Sequence, residues 1–100
     1  MLIVSRNPGQ AVRIGERFEL RLQSLGAGFA VFTHTARVRP LVLMIGERHE
    51  IDDDVSIVVN RITGSRLSLG IVAPRRIRIV RAELAPTVSD GVRVWGKANA

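Results

Sequence analysis

Arginine is the residue type in this chain whose chemistry points most clearly to a function. The sequence has 15 Lys and Arg residues against 9 Asp and Glu, and Lys97 is the one lysine. Six arginines lie in 61–81 without an acid, whereas 41–60 carries five acids and only Arg48. A planar guanidinium suits bidentate contacts with phosphates and base edges. The distribution predicts a nucleic-acid partner; the alternative is a solvated face that owes its arginines to genome composition.

The other polar residues offer little for catalysis or metal binding. Glu47, Glu50 and the run Asp52–Asp54 are interpreted as a solvated acidic loop, which could repel RNA or dock a basic partner. They lack a suitably spaced histidine and the calcium-loop pattern. The chain has no cysteine and only two histidines, which argues against thiol chemistry and a zinc site. We expect neither a cofactor nor an enzymatic activity.

Length and composition indicate one globular domain. The chain has 100 residues, of which 46% are hydrophobic, so burial can offset chain entropy. No apolar run approaches the roughly 20 residues of a membrane span, and Met1–Val4 does not open a secretory signal. The absence of cysteine fits a cytoplasmic location.

Hydrophobic alternation with a period of two predicts strands along most of the chain. Phe18, Leu20 and Leu22 alternate with charged residues, and Val55, Ile57 and Val59 repeat that pattern. Strands are expected at 2–4, 18–22, 29–35, 41–45, 55–59, 67–71 and 77–81. This spacing predicts a mostly β fold, a small antiparallel meander or barrel-like sandwich. At most one short C-terminal helix is expected, from Arg81 until Pro86 stops it.

The two halves of the sequence are related by a shift of 37 positions. Gly9 then aligns with Gly46, Ile14 with Ile51, and the apolar residues of 18–22 with those of 55–59. The offset runs without a gap through a turn and two strands, which favours an internal duplication. Residues 1–37 form the more degenerate repeat and 38–86 the fuller one, followed by a tail at 87–100.

Several segments resemble the carbon storage regulator family (CsrA, also called RsmA). The opening Met1–Arg6, with Gly9-Gln10 and Ile14-Gly15-Glu16, is similar to the start of that family. Gly64–Pro74 looks like its third strand and Ala-Pro turn, and Ile77–Leu84 like its fifth strand. The stretch from Gly70 through the Val-Arg-Ala-Glu sequence is the most specific part of the resemblance, which spans 1–84.

The resemblance implies an RNA-binding post-transcriptional regulator. Members of the family are strand-exchanged homodimers that bind GGA-containing sites in mRNA leaders and small regulatory RNAs, and so control translation or mRNA stability. Each RNA site lies where the first strand of one chain meets the fifth strand of the other. The matching positions in this chain are Val4, Ser5, Arg6, Arg75, Arg76, Val80, Arg81 and Ala82.

The sequence departs from the family pattern in its first half. Two segments resemble a first strand, 2–6 and 41–45, but only 77–81 resembles a fifth strand. A duplication that lost one strand would resemble a family dimer fused into one pseudo-dimeric monomer. Such a chain would keep one RNA site, because Leu41–Met44 offers no arginine. A homodimer of the whole chain, with an insertion in each subunit, is the alternative.

A second class of function stays open beside RNA regulation. A chain with a degenerate first half could be a protein-interaction adaptor that kept the fold and lost RNA binding. Its basic face would then dock an acidic protein, for which the family suggests a flagellar assembly factor. Among the aromatic residues, Phe18 and Phe32 are expected in the core, and Trp95 in edge-strand packing rather than base stacking.

Overall fold

The computed structural model describes residues 1–82 and is built from β-strands. Alternating apolar residues and β-branched side chains favour extended backbone here, and short turns join the strands. The nine strands are β1 (Leu2–Arg6), β2 (Ala11–Ile14), β3 (Phe18–Gly26), β4 (Phe29–His34), β5 (Leu41–Met44), β6 (Arg48–Asp52), β7 (Val55–Thr63), β8 (Arg66–Val72) and β9 (Ile79–Ala82). The mostly β antiparallel fold predicted from the sequence is confirmed.

The strands form two antiparallel sheets, and each sheet contains a strand from the other half of the chain. One sheet has the order β1-β8-β7-β6, and the other has the order β5-β4-β3-β2-β9. β1 from the first half therefore pairs with β8, and β9 from the second half pairs with β2. The inward side chains of both sheets make one apolar core, including Leu20, Phe32, Ile57, Leu69 and Ile71. Phe32 belongs to this core and Phe18 packs against it, as predicted.

The geometry of the two halves repeats with the offset read from the sequence. Strands β2, β3 and β4 begin 37 positions before β6, β7 and β8, respectively. The irregularity in β3 between Leu22 and Ser24 recurs in β7 between Val59 and Arg61. Gly9 and Gly46 both have positive φ, 95° and 87°, a conformation that glycine adopts without steric cost.

Local details differ from the sequence-based expectations. β2 and β6 were not predicted as strands, because β2 has only one short alternation, Val12-Arg13-Ile14, and β6 has a single apolar residue, Ile51. The acidic segment interpreted as a loop is therefore partly strand β6, which carries Glu50 and Asp52. The last described strand begins at Ile79 rather than Ile77. Arg81 and Ala82 belong to it and not to a helix, and the rest of the expected helix lies outside the described residues.

The first half has no counterpart of β9. Residues 35–40 connect β4 to β5 and contain no strand. β2 is covered on both sides, by β3 and β9, whereas β6 pairs only with β7. Within residues 1–82, the outer edge of β6 therefore has no neighbouring strand, whereas the equivalent edge of β2 pairs with β9.

Candidate nucleic-acid interface

The two strands singled out by the sequence meet across a groove. The groove is lined by Leu2, Ile3 and Val4 of β1 together with Ile79 and Arg81 of β9. β1 is the edge of one sheet and β9 is the edge of the other, so the groove follows a corner of the sandwich. Its volume of about 240 Å³ lies below the roughly 300–1,000 Å³ typical of small-molecule pockets. An extended chain laid along the corner fits such a groove better than a compact ligand.

Among the described residues of this lining, Arg81 is the charged one, and it is exposed. It lies opposite Val12 in the register of β2 and β9, between the half-buried Val80 and the buried Ala82. These neighbours fix the strand, while the guanidinium is accessible to an anion or a base edge. Val80 and Ala82 can contribute through their backbone, and Ala82 also packs opposite Ala11.

Arg6 has a different environment from Arg81. Its side chain is 6% exposed. Its Nε donates to the carbonyl of Ser5 at 2.7 Å, and its Nη1 donates to the carbonyl of Ala11 at 3.1 Å. Since Ala11 belongs to β2 in the opposite sheet, this contact joins the two sheets beside the groove. Arg6 therefore faces inward at the corner, whereas Arg81 is exposed there.

The remaining first-strand residues offer mainly backbone groups. Val4 is buried and Ser5 is half-buried, opposite Ser68 in β8. Because β1 is an edge strand, the N–H and C=O groups that do not pair with β8 are available along its outer side. Exposed apolar side chains flank them, since Leu2 and Ile3 are both nearly half exposed.

Arg75 and Arg76 do not join the groove. Both are exposed in the turn that precedes β9, which is closed by the Ile77 N–H donating to the Pro74 carbonyl at 3.0 Å. The Arg76 guanidinium contacts the Asp54 carboxylate at 3.2 Å, in the turn between β6 and β7. This places Arg76 against the turn between β6 and β7, and neither arginine lines the groove with Arg81.

Sequence reasoning missed three residues of the lining, Leu2, Ile3 and Ile79. The continuous apolar run at the start of the chain was a signal that could have pointed to Leu2 and Ile3. It gave no indication of which side would be exposed, because period-two alternation is absent from Leu2-Ile3-Val4.

His34 is a buried histidine that lies outside the groove lining. Burial of the imidazole, followed by the positive charges of Arg37 and His49, lowers the pKa of His34 below its usual value. Its Nδ1 accepts a hydrogen bond from the Ala36 N–H at 2.9 Å, and its ring packs against Phe18. Nε2 is buried without a hydrogen-bond partner in the described part of the chain. This is the environment of a neutral core histidine.

No group of three or more potential metal ligands occurs among the described residues. In the same part of the chain, no helix has the length and apolar character needed to cross a bilayer.

Comparison with known proteins identifies the family of this chain. The model of the CsrA global regulator protein family matches residues 41–90, which is half of the chain. The chain belongs to the CsrA family. This family is one of regulators and not of enzymes, as the sequence had predicted. The match begins at β5 and includes all the later described strands.

Two curated relatives carry the name translational regulator CsrA. One is from Thermotoga petrophila and the other from Thermotoga sp. strain RQ2, and each is 41% identical over 44 residues. The aligned region is 44% of this chain and 53% of each relative. The chain thus spans about half the length of the curated relatives it matches. No solved structure matches the chain.

Proposed function

We propose that this chain is an RNA-binding post-transcriptional regulator that uses the groove between β1 and β9 to bind GGA-containing sites in mRNA leaders or small RNAs. The observation that carries the proposal is the position of exposed Arg81 across the groove from Leu2–Val4. This juxtaposes the first strand of one half with the last strand of the other, in a chain of the CsrA family. Bound RNA would alter translation or mRNA stability by occupying the leader.

The chemistry of the groove is suited to single-stranded RNA. Unpaired loop bases expose their Watson–Crick edges, which backbone N–H and C=O groups of an edge strand can read. The Arg81 guanidinium supplies the positive charge for a phosphate or a guanine edge. Leu2, Ile3 and Ile79 give an apolar surface for the flat face of a base. Arg6 acts as a positioning residue, because its hydrogen bond to Ala11 holds β1 against β2.

A chain with one such groove should bind one RNA. The equivalent strand in the second half, β5, contains Leu41, Val42, Leu43 and Met44 and provides no cation. The strand that would pair with β6 on that side is lacking among residues 1–82. The acidic side chains of Glu50 and Asp52 on β6 would also repel phosphates. This supports a pseudo-dimeric single chain with one RNA site over a homodimer.

The second candidate function is a protein-interaction adaptor that has lost RNA binding. It is favoured by one observation: Arg6 is buried and Arg76 pairs with Asp54, so among residues 1–82 Arg81 is the one cation in the groove lining. In this function the basic surface would meet an acidic protein partner.

Titration with RNA hairpins separates the two functions. The full chain is titrated with a GGA loop and with a scrambled loop of the same length, and stoichiometry is read from the plateau. Arg81→Ala should abolish the preference for GGA, whereas Arg61→Ala, on the exposed part of β7, serves as the matched loss of one charge. Equal binding of both loops by the parent chain would reject the RNA-regulator proposal. A plateau at one RNA for two chains would reject the single-chain site.

A further inference from the structure

The turn between β1 and β2 carries the chain from one sheet to the other beside the groove. Its residues, 7–10, follow β1, which pairs with β8, and precede β2, which pairs with β9. Within it Gly9 has a φ of 95°, and the Gly9 N–H donates to the Leu22 carbonyl of β3 at 2.7 Å. Because the turn joins the two sheets, its shape affects the spacing between β1 and β9.

The turn between β5 and β6 repeats this geometry 37 positions later. The N–H groups of Gly9 and Gly46 both donate at 2.7 Å, to the carbonyls of Leu22 and Val59, respectively. In both turns the side-chain oxygen of the residue after the glycine accepts from the N–H three positions earlier, at 2.8 and 2.9 Å. The two turns therefore share these backbone and capping hydrogen bonds, and any further contact distinguishes one from the other.

Arg21 of β3 makes such a further contact with the first turn. Its Nη1 donates to the Gly9 carbonyl at 2.6 Å, and its Nη2 donates to the Glu19 carboxylate at 2.9 Å. We call this pair of contacts the Arg21 clamp. Val58 stands 37 positions after Arg21, and its side chain has no hydrogen-bond donor. Of the two equivalent turns, the one with the clamp is the one beside Arg81.

Arg6 and Arg21 contact the crossover from β1 to β2 from opposite sides. Arg6 faces inward, and its Nη1 donates to the carbonyl of Ala11, the first residue of β2. Arg21 alternates with the buried Leu20 and Leu22, so it points out of the sandwich, and its side chain is 39% exposed. The crossover is thus held by Arg6 from the core side and by Arg21 from the outer side.

We propose that Arg21 is a positioning residue of the groove, which holds the β1–β2 turn so that β1 keeps the spacing from β9 that RNA binding requires. This inference rests on the proposed RNA function and adds to it a residue that acts through the Gly9 carbonyl. A guanidinium has several donors in one plane, so Arg21 can contact the turn while Glu19 fixes its orientation. A groove whose shape is set beforehand loses less affinity to ordering when RNA binds.

Amide hydrogen exchange of the full chain tests the clamp without RNA. Arg21→Met removes the donors and keeps much of the side-chain length, so the Gly9 amide should exchange about tenfold faster. The Gly46 amide, in the equivalent turn without a clamp, should be unchanged and is the internal control. Arg61→Met, the matched loss of one arginine, should change neither glycine. Slow exchange at the buried Leu69 shows that every variant is folded. Unchanged exchange of Gly9 in Arg21→Met would overturn the proposal.

Titration of the same variants with the GGA hairpin tests the consequence for RNA. Arg21→Met should lower the affinity about fivefold at every salt concentration, because the groove is less well ordered before binding. Arg21→Lys should restore part of the loss, since one donor remains, and Arg61→Met should lose less than Arg21→Met.

The salt dependence separates positioning from direct contact. The slope of log affinity against log salt concentration should be the same in Arg21→Met as in the parent chain. A slope shallower by about 0.7 would make Arg21 a phosphate contact and overturn the positioning role. Unchanged affinity in Arg21→Met, with a parent chain that prefers GGA, would overturn that role alone. A parent chain that binds GGA and scrambled loops equally would reject the proposed function and the role of Arg21 with it.

Discussion

The guanidinium of Arg6 donates a hydrogen bond to the carbonyl of Ala11 at 3.1 Å and thereby joins the edge strand of one sheet to the other sheet. Ala11 is in turn paired with Ala82 of β9. Arg6 is therefore connected through Ala11 to the strand that carries Arg81. The two arginines of the candidate interface therefore have separate tasks. Arg6 holds the corner of the sandwich together, and Arg81 faces the solvent at that corner.

The separate roles of Arg6 and Arg81 predict unequal changes in stability when each is substituted. Arg6→Met removes the donors but keeps much of the apolar volume, and leaves the Ala11 carbonyl without this buried donor. We expect the free energy of unfolding to fall by about 1–3 kcal/mol. Arg81→Ala, at an exposed position, should change it by less than about 0.5 kcal/mol. Urea unfolding of the two variants checks this, and equal losses of stability would contradict the assigned roles.

The RNA proposal predicts a specific change in salt dependence. Each phosphate contact on a single strand contributes about −0.7 to the slope of log affinity against log salt concentration. If Arg81 contacts a phosphate, Arg81→Ala should make the slope shallower by about 0.7, whereas Arg75→Ala should change it less because Arg75 lies outside the groove. Titration at four or more salt concentrations provides the slopes. A larger change for Arg75→Ala would move the RNA path to the turn before β9.

His34 predicts a loss of stability in mildly acidic solution. Its pKa is lowered in the folded chain, so between that pKa and the usual 6.5 the unfolded chain binds the proton more readily. The stabilising contribution is therefore complete above pH 6.5 and is lost as the pH falls toward the folded pKa. Unfolding measured between pH 7.5 and 5.5 should show this decline in the parent chain.

Two variants test the origin of that decline. His34→Gln should flatten it, because glutamine keeps a polar group near the Ala36 N–H without titrating in this range. His49→Gln should preserve most of it, since burial is the main cause of the shift and His49 a lesser one. A parent chain with constant stability over this range would show that His34 is not buried neutral in solution.

The pair of equivalent isoleucines predicts unequal costs of truncation. Ile14→Ala removes a side chain that is 1% exposed and covered by β9, and should cost about 2–5 kcal/mol. Ile51→Ala removes a partly buried side chain at the edge and should cost clearly less, about 1 kcal/mol. Denaturant unfolding of both variants decides the point. Similar costs would mean that β6 is as well covered in solution as β2.

The sequence predicted most of the strands, because alternation is a local property. Each of β3, β4, β7 and β8 buries one face, and their apolar residues recur every second position. The offset of 37 positions was also readable, and the structure repeats it in strand starts and in the irregularities of β3 and β7. The short strands β2 and β6 were missed because β2 contains one short alternation, Val12-Arg13-Ile14, and β6 contains a single apolar residue, Ile51.

The sequence by itself determined most of the strands, the offset of 37 positions between the two halves and the position of Arg81 in the last described strand. Only the tertiary structure decided that β1 and β9 border one groove, that Arg6 faces inward and that β6 lacks a neighbour. The physical reason is that alternation depends on residues two positions apart. By contrast, the partner of an edge strand and the burial of a corner side chain depend on segments up to about 80 positions away. Such contacts between β1 and β9 arise only when the two sheets pack together.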